Sequence, residues 1–321
     1  GKLVPVGPDG KTPIPDAPTP SYPNDPTDPT KVIPNEPVPD VPGYTPVDPT
    51  PITPEDPTKD TPIPYTKDPV KAGLTVQYID QDNNNSVIKS DAVNGNIGGK
   101  VDYSTASSIT DFENKGYVLV TDGFTGQAGD EFTTENNGQV YKVVFKYGTR
   151  PVTPENPADP NKPVDPDHPD TPTPSNPNLS KTDLQKTITR TVEYKYADGT
   201  QAHEPVKQEL TFTGKGTIDL VTGNLVTVDK DGNITSQNGK ITWNHDSQEF
   251  EAVPAIDHDD YYISSINQSN STASVDGQTG AVGTETVTPN SQNGNIVITL
   301  TRNPDVPVAA QGSINYIDDT T

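Results

Sequence analysis

The side chains able to carry out chemistry are few and widely separated along this chain. It has four histidines and no cysteine. Nucleophilic catalysis needs a base beside a nucleophile, but His168 lies in a proline-rich stretch and His203, His245 and His258 lie in separate polar segments. The sequence has no Gly-x-Ser-x-Gly, phosphate-loop or His-Glu-x-x-His motif. We therefore predict that the protein is not an enzyme, and that it has neither disulfides nor Cys-ligated metals.

Two acidic loops have the alternating oxygen ligands that calcium prefers. The two sets are Asp80, Asp82 and Asn84, and Asp229, Asp231 and Asn233. Neither loop has the glycine at the sixth position or the terminal glutamate of a complete calcium loop. Asp and Asn are also usual residues of hairpin turns. A structural calcium ion and a plain turn therefore both stay open at each loop, and no other cofactor is predicted.

A third set of residues has the chemistry of sugar recognition, which combines aromatic rings with amide and carboxylate groups. The aromatic members are Trp243, Tyr261 and Tyr262, and the carboxylates near them are Asp259 and Asp260. Because alternate positions of a strand face inward, the alternative is that Trp243 and one tyrosine belong to a core. The sequence predicts a glycan site at these five residues, with core packing as the competing interpretation.

The prolines divide the chain of 321 residues into segments. Residues 1–69 contain 21 of the 36 prolines and residues 150–178 contain 10, whereas residues 70–149 contain none. We predict folded domains at 70–149 and 179–303, a Pro-rich linker at 150–178, and a linker with the start of a further repeat at 304–321. Residues 1–69 are predicted to be either a Pro-rich spacer or a degenerate β module.

The linker at 150–178 is expected to be extended, because proline pushes the preceding residue toward extended geometry. As a semi-rigid polyproline II rod of about 3.1 Å per residue, it would span roughly 90 Å. A disordered tether is the alternative, since low hydrophobicity also marks disorder.

Charge and hydropathy narrow the classes of partner. The net charge of −23 disfavours nucleic acids and the anionic faces of membranes. No run of about 18 apolar residues occurs, so no membrane insertion is predicted within this segment. Because methionine is absent even at position 1, we expect a processed piece of a longer protein, with any secretion signal or anchor outside it.

Residue patterns predict the elements that position these side chains. In the first domain, alternation from Leu74 to Tyr78 and the polar turn after Asp80 indicate a hairpin, followed by a helix at 107–114 and strands at 117–120 and 140–147. The second domain opens with a strand from Ile188 to Tyr196 and is predicted to be mainly or wholly β. Its further strands are predicted at 209–212, 218–221, 225–228, 241–243, 250–253, 261–266 and 296–300.

The end of the chain repeats an earlier strand. Ser313–Asp318 matches Thr75–Asp80 with three identities and three similar residues. We infer that a further domain of the first kind begins there, as in a tandem array. The predicted fold class is mainly β or α+β, an elongated tandem of small modules joined by Pro-rich spacers.

Several of these stretches resemble the mucus-binding (Mub-type, MucBP-like) repeats of cell-surface adhesins from lactobacilli. In the first domain, Lys71–Asp80 and Asn114–Val120 carry the resemblance. The other matching stretches are Lys186–Gly199, Leu210–Thr213 and Ile241–Trp243 in the second domain, and Tyr316–Thr321 at the end. Two departures make a different ligand specificity expected: Asp259–Tyr262 replaces a Gly-Tyr pair, and Phe145–Tyr147 replaces a His-bearing strand.

The resemblance implies β-grasp, ubiquitin-like subdomains in an extracellular protein anchored to the Gram-positive cell wall through a distant sorting signal. It implies binding to mucin glycans, and to immunoglobulin in some members. A monomeric chain with weak sites would gain avidity from tandem repetition. The alternative is a structural stalk, stabilised by calcium or not, that projects a distal binding domain.

Overall fold

The computed structural model describes residues 1–304, which are mostly β-structure. They divide into two compact units. Unit 1 comprises residues 1–79, 87–105 and 122–143, and unit 2 comprises residues 80–86, 106–121 and 144–304. Within residues 1–304, no helix has the length and apolar character needed to cross a membrane. The repeat at Ser313–Asp318 lies outside the described residues.

Residues 1–69, all in unit 1, form a small β module and not an extended spacer. Its strands are β1 (Leu3–Val6), β2 (Asn24–Asp25), β3 (Asp28–Val32), β4 (Tyr44–Pro46) and β5 (Thr61–Lys67). Strand β1 pairs in parallel with β5, which pairs antiparallel with β4, and β2 pairs with β3. The core consists of the buried side chains of Leu3, Ile14, Tyr22, Val32, Val41, Ile63 and Tyr65.

Side chains supply hydrogen bonds that the prolines of this module cannot, because proline has no N–H. The hydroxyl of Tyr22 donates to the carbonyls of Asp56, at 3.1 Å, and Lys59, and the hydroxyl of Tyr65 donates to the carbonyl of Pro39. Four Asp-Pro-Thr triplets also close turns through a side chain, here with the aspartate carboxylate as the acceptor. In each, one carboxylate oxygen accepts from both the N–H and the hydroxyl of the threonine, at 2.6–3.1 Å. The triplets begin at Asp25, Asp28, Asp48 and Asp56.

Residues 70–149 contain a four-stranded sheet and one helix. The elements are β6 (Lys71–Asp80), β7 (Ser86–Asn96), α1 (Ala106–Glu113), β8 (Tyr117–Asp122) and β9 (Val140–Tyr147). The strand order is β7-β6-β9-β8. Because α1 follows β7, the second strand of the domain, this order is the β-grasp arrangement. The predicted β-β-α-β-β order is confirmed. Gly116 has a φ of 91°, a left-handed conformation that suits glycine just after a helix.

The rest of the chain, in unit 2, is built around one long strand. The elements are β10 (Thr149–Val152), α2 (Lys181–Leu184), β11 (Gln185–Tyr196), β12 (Gln201–Asp219), β13 (Leu225–Val228), β14 (Ile234–Ser236), β15 (Thr242–Trp243), β16 (Gln248–Phe250), β17 (Tyr261–Ser269), β18 (Glu285–Val287) and β19 (Gly294–Arg302). The main path is β14-β13-β12-β11-β19-β17, and β12 also pairs with β10 and β15. The prediction of a mainly β domain is confirmed.

The Pro-rich segment 150–178 packs against this sheet, so the expected extended rod is wrong. Val152, Ala158 and Val164 are at most 1% exposed and share a core cluster with Leu179 and Ile218. These apolar side chains are spaced between the prolines. Their burial stabilises the packed segment more than the prolines stabilise an extended one.

Arg150 satisfies the carbonyls of this folded segment. Its guanidinium donates to the carbonyl of Val164 and makes longer bonds to those of Pro151 and Asn156, both at 3.4 Å, and of Pro157, at 3.3 Å. Buried carbonyls need donors, and neighbouring prolines offer none. One side chain therefore links β10 to the carbonyls of residues 156, 157 and 164.

A buried arginine ties the second domain's sheet to its loops. Arg190 points inward from β11 and is 0% exposed. Its guanidinium donates twice to Gln208 Oε1, at 3.0 and 2.7 Å, and to the carbonyls of Gly283 at 3.0 Å and Glu251 at 2.6 Å. The carboxylate of Glu285 lies 3.5 Å away. These partners explain why an arginine interrupts an otherwise apolar strand face.

Replacing Arg190 with Ala should lower the free energy of unfolding by about 3–5 kcal/mol, because Glu285 would stay buried without its cation. Chemical denaturation measures the change. Changing both residues, Arg190→Met with Glu285→Gln, should recover part of the loss. Lys207→Ala is the control, since its ion pair with Glu209 is exposed; equal losses for Arg190→Ala and Lys207→Ala would contradict this role.

The turn aspartates should make stability fall in acid. Hydrogen bonds from Thr58 and Thr12 lower the pKa of Asp56 and Asp9 to about 2, from a usual value of 3.8. The two carboxylates therefore contribute their full stabilisation at pH values above the pKa that they have in the unfolded chain. That stabilisation is lost as the pH falls through their pKa in the folded chain. The melting temperature should drop between about pH 4 and pH 2.

The variant pair Asp9→Asn with Asp56→Asn should show a smaller acid drop, because asparagine does not titrate in this range. Asp102→Asn is the matched control, an exposed carboxylate outside these turns. An acid drop of the same size in the double variant and the control would show that the turn carboxylates are not responsible.

Candidate functional site

The tryptophan of the predicted glycan site lies at the margin of a core. Trp243 is on β15, opposite Gly214 of β12. Its ring is partly buried against the cluster that contains Phe212 and Phe250. A Cβ at position 214 would lie 3.2 Å from the ring, so glycine makes room for it. The core interpretation fits Trp243 better than an exposed sugar platform does.

The two tyrosines of the predicted site lie at the start of β17. The ring of Tyr261 is half-buried, 4.8 Å between centroids from the ring of Tyr196. Tyr262 is 47% exposed. Asp259 and Asp260 are exposed in the preceding turn, and their backbone carbonyls accept hydrogen bonds from Asn303.

Strand pairing separates the tryptophan from the tyrosines. Trp243 pairs with Gly214 of β12. The preceding residue of β12, Thr213, pairs with Gln185, which is the first residue of β11. Tyr261 packs on Tyr196, at the other end of β11. At about 3.3 Å per residue, the two ends of this strand lie roughly 36 Å apart. The five predicted residues therefore do not form one surface, and a glycan site at Tyr261 and Tyr262 stays a separate prediction.

The first predicted calcium loop uses its oxygens within the fold. Asp80 is 1% exposed. One of its oxygens accepts from the N–H groups of Asp82 and Asn83, both at 3.1 Å, and the other from the hydroxyl of Tyr117 at 3.3 Å. A carboxylate oxygen of Asp82 accepts from the N–H of Tyr147 at 2.7 Å. Burial, aided by the Asp80 charge, raises the pKa of Tyr117 to about 12, so this phenol stays a donor.

The second loop is an exposed turn, and Asn84 of the first loop is also in a turn, with a φ of 55°. Asp229 accepts from the N–H groups of Asp231 and Asn233, both at 2.9 Å. The carboxylate of Asp231 pairs with Lys230 at 2.9 Å. Within residues 1–304, no three His, Cys, Asp or Glu side chains cluster to hold a metal. The calcium hypothesis stays a prediction, without support from this geometry.

Three of the four histidine side chains bond to acceptors of the fold. His168 Nδ1 lies 2.9 Å from the carboxylate of Asp165, and His203 and His258 bond to backbone carbonyls at 2.7–3.0 Å. None of these contacts pairs an imidazole with a nucleophilic hydroxyl.

A concavity that sequence reasoning missed lies in unit 1, on the connection between β8 and β9. Its volume is about 650 Å³. Asn136, 7% exposed, holds the connection in shape: its amide donates to the carbonyls of Ala128 at 2.9 Å and Glu131 at 2.8 Å and accepts from the N–H of Thr133 at 2.9 Å. Phe132 anchors the same loop in the core.

The lining of this concavity is rich in hydrogen-bonding groups. Tyr141 is half-buried, with its ring edge-to-face against Phe124 at 5.7 Å between centroids. The lining residues are Gln127, Ala128, Gly129, Asp130, Glu131, Thr133, Glu135, Asn136, Gln139 and Tyr141. None of these ten is basic. An aromatic ring beside amides and carboxylates is the combination that suits a sugar. The only sequence signal of this concavity was the presence of Phe124 and Phe132 in the long polar loop between β8 and β9.

Comparison with known proteins identifies both domains. Residues 72–147 match the family model described as mucin binding domain, and residues 179–304 match the Muc B2-like domain. The two domains of this chain belong to the mucin binding domain family and the Muc B2-like domain family. The concavity at 127–141 thus lies inside the mucin binding domain, whereas Trp243, Tyr261 and Tyr262 lie inside the Muc B2-like domain. Comparison with curated proteins gives no match.

Solved structures of such repeats are similar to this chain. The crystal structure of Mub-RV is 24% identical, with a TM-score of 0.47, and covers 73% of this chain and 100% of its own. The type 2 repeat of the mucus binding protein MUB from Lactobacillus reuteri is 26% identical, with a TM-score of 0.40, covering 72% and 100%. A MucBP domain of the protein LBA1460 from Lactobacillus acidophilus is 26% identical, with a TM-score of 0.23, covering 37% and 93%.

Calcium should leave the stability of this chain unchanged, because the oxygens of both loops are already hydrogen-bond acceptors in closed turns. The measurement is the melting temperature with millimolar calcium and with a chelator. Asp80→Asn and Asp229→Asn should respond as the wild type does. A melting temperature that rises with calcium in the wild type and not in one of these variants would establish an ion at that loop.

Proposed function

We propose that this chain is a non-catalytic adhesive repeat of a bacterial surface protein and that it binds mucin glycans. The match of residues 72–147 to the mucin binding domain family carries the proposal. The side-chain contacts of His168, His203 and His258 do not pair an imidazole with a nucleophilic hydroxyl, in keeping with a binding role.

The concavity in the mucin binding domain is the surface that we propose for the glycan. Sugars present hydroxyls around an apolar ring face, and proteins meet them with amides, carboxylates and an aromatic ring. Gln127 and Gln139 supply donors and acceptors, Glu135 an acceptor, and Tyr141 a ring. Because Asn136 holds the loop through buried hydrogen bonds, little ordering is needed on binding, which favours affinity.

Weak single sites suit a protein that repeats them. Linking copies converts each later contact into an intramolecular event at high effective concentration, so we propose multivalent attachment by tandem repeats anchored to the cell wall. Immunoglobulin is a second proposed partner. The rival proposal, a stalk that only adds length, is separated from ours by whether this chain binds mucin at all.

The test measures binding of the full chain to immobilised mucin, with Tyr141→Ala as the site variant. Loss of a ring contact of about 1 kcal/mol should weaken binding about fivefold. Tyr141→Phe keeps the ring and should keep most of the binding. Tyr262→Ala is the matched control, an exposed tyrosine of the Muc B2-like domain. Thermal melts of all variants show whether each still folds.

The outcomes separate the proposals. Mucin oxidised with periodate, which destroys sugar rings, should no longer bind if glycans are the ligand. Loss of binding in Tyr262→Ala but not in Tyr141→Ala would move the site to the start of β17. A wild-type chain that does not bind mucin would favour the stalk.

A further inference from the structure

A second concavity lies in unit 2, outside the region that matches the mucin binding domain. Its volume is about 500 Å³. Three segments form it: the end of the Pro-rich segment 150–178, the turn before β13 and the loop between β14 and β15. The polar residues that line it are Ser175, Asn176, Asn224, Gln237, Asn238 and Lys240.

Backbone contacts fix the walls of this concavity. The N–H of Ser175 donates to the carbonyl of Gly223 at 2.9 Å, and the N–H of Gly239 donates to the carbonyl of Leu225 at 2.8 Å. A Cβ at position 239 would lie 2.4 Å from the backbone of Val226. A Cβ at position 223, where φ is 74°, would lie 2.5 Å from a carbonyl oxygen of the Pro-rich segment. Only glycines permit these approaches, so the concavity is built into the fold.

The charge of this lining is opposite to that of the rest of the chain. The protein has 45 acidic and 22 basic residues, yet this lining contains one lysine and no carboxylate. The concavity at 127–141 contains three carboxylates and no base. The net charge of −23 disfavours an anionic ligand over the protein as a whole, whereas Lys240 offers it a cation in a lining that contains no carboxylate.

The neighbouring side chains narrow the class of ligand. Asn176, Asn224, Gln237 and Asn238 each carry a carboxamide, which donates and accepts hydrogen bonds. Carboxamides match the vicinal hydroxyls of a sugar, and an ammonium matches a carboxylate or a sulfate. No aromatic side chain lines the concavity, so hydrogen bonds and charge, not ring stacking, would hold the ligand.

We propose that this concavity is a second sugar site, specific for an acidic sugar that carries a carboxylate or a sulfate. The Lys240 ammonium pairs with the acid group, and the carboxamides hydrogen-bond to the sugar hydroxyls. The site shares no lining residue with the concavity at 127–141, and it uses residues of the Pro-rich segment as one wall.

The experiment compares three soluble probes, sialyllactose, sulfated lactose and lactose, by calorimetry or saturation-transfer NMR with the full chain. At least one acidic probe should bind about tenfold more tightly than lactose. Lys240→Gln should remove this preference. Lys230→Gln makes the same charge change at an exposed lysine of the same domain, paired with Asp231, and should keep it. Asn238→Ala should weaken every probe that binds.

The outcomes are decisive for the proposal. Preference for sialyllactose assigns a carboxylate, and preference for sulfated lactose assigns a sulfate. Equal binding of lactose and both acidic probes overturns the proposal, as does an equal effect of Lys240→Gln and Lys230→Gln. The chain could bind mucin through Tyr141 and yet show no preference for the acidic probes. That result would overturn the second sugar site and leave the function proposed for the mucin binding domain standing, so the two failures are distinguishable.

Discussion

The constraint on which this structure depends is that proline has no N–H to donate. Segments rich in proline form only short strands here, and their carbonyls lose water when they are buried. Here the donors come from side chains: the hydroxyls of Tyr22 and Tyr65 in the first module and the guanidinium of Arg150 in the segment before the Muc B2-like domain. With these donors in place, proline-rich sequence packs as folded protein and contributes a wall to the concavity beside Lys240.

Local patterns predicted the regular elements well and the proline-rich segments poorly. The alternation from Leu74 to Tyr78 and the apolar spacing before Gly116 depend on neighbours close in sequence, so the hairpin and helix of the mucin binding domain followed from them. The folding of residues 150–178 depends on partners such as Ile218, which lies far along the chain. No local propensity contains that information, and the rigid-rod prediction failed for this reason.

The difference between local sequence patterns and contacts between distant segments also explains which site residues the sequence revealed and which it did not. Trp243, Tyr261 and Tyr262 have the right chemistry, but strand register places them at opposite ends of β11. The concavity beside Lys240 depends instead on close approaches between separate segments, such as Gly239 against Val226. The concavity at 127–141 lies within one loop, whose shape depends on the buried amide of Asn136. Glycine and asparagine in a loop predict a turn, and they do not reveal which other loop will face it. Composition showed an acidic protein, and it did not reveal that a concavity lined by Lys240 contains no carboxylate.

The strand pairings determine how these modules respond to mechanical tension. In the Muc B2-like domain the first long strand, β11, pairs in parallel with the last, β19, over seven residue pairs. In the module at residues 1–69, β1 pairs in parallel with β5 in the same way. Tension applied to the two ends of either module pulls these neighbours lengthwise past each other. The hydrogen bonds between them must then break together instead of one after another, which is the geometry that best resists being pulled apart.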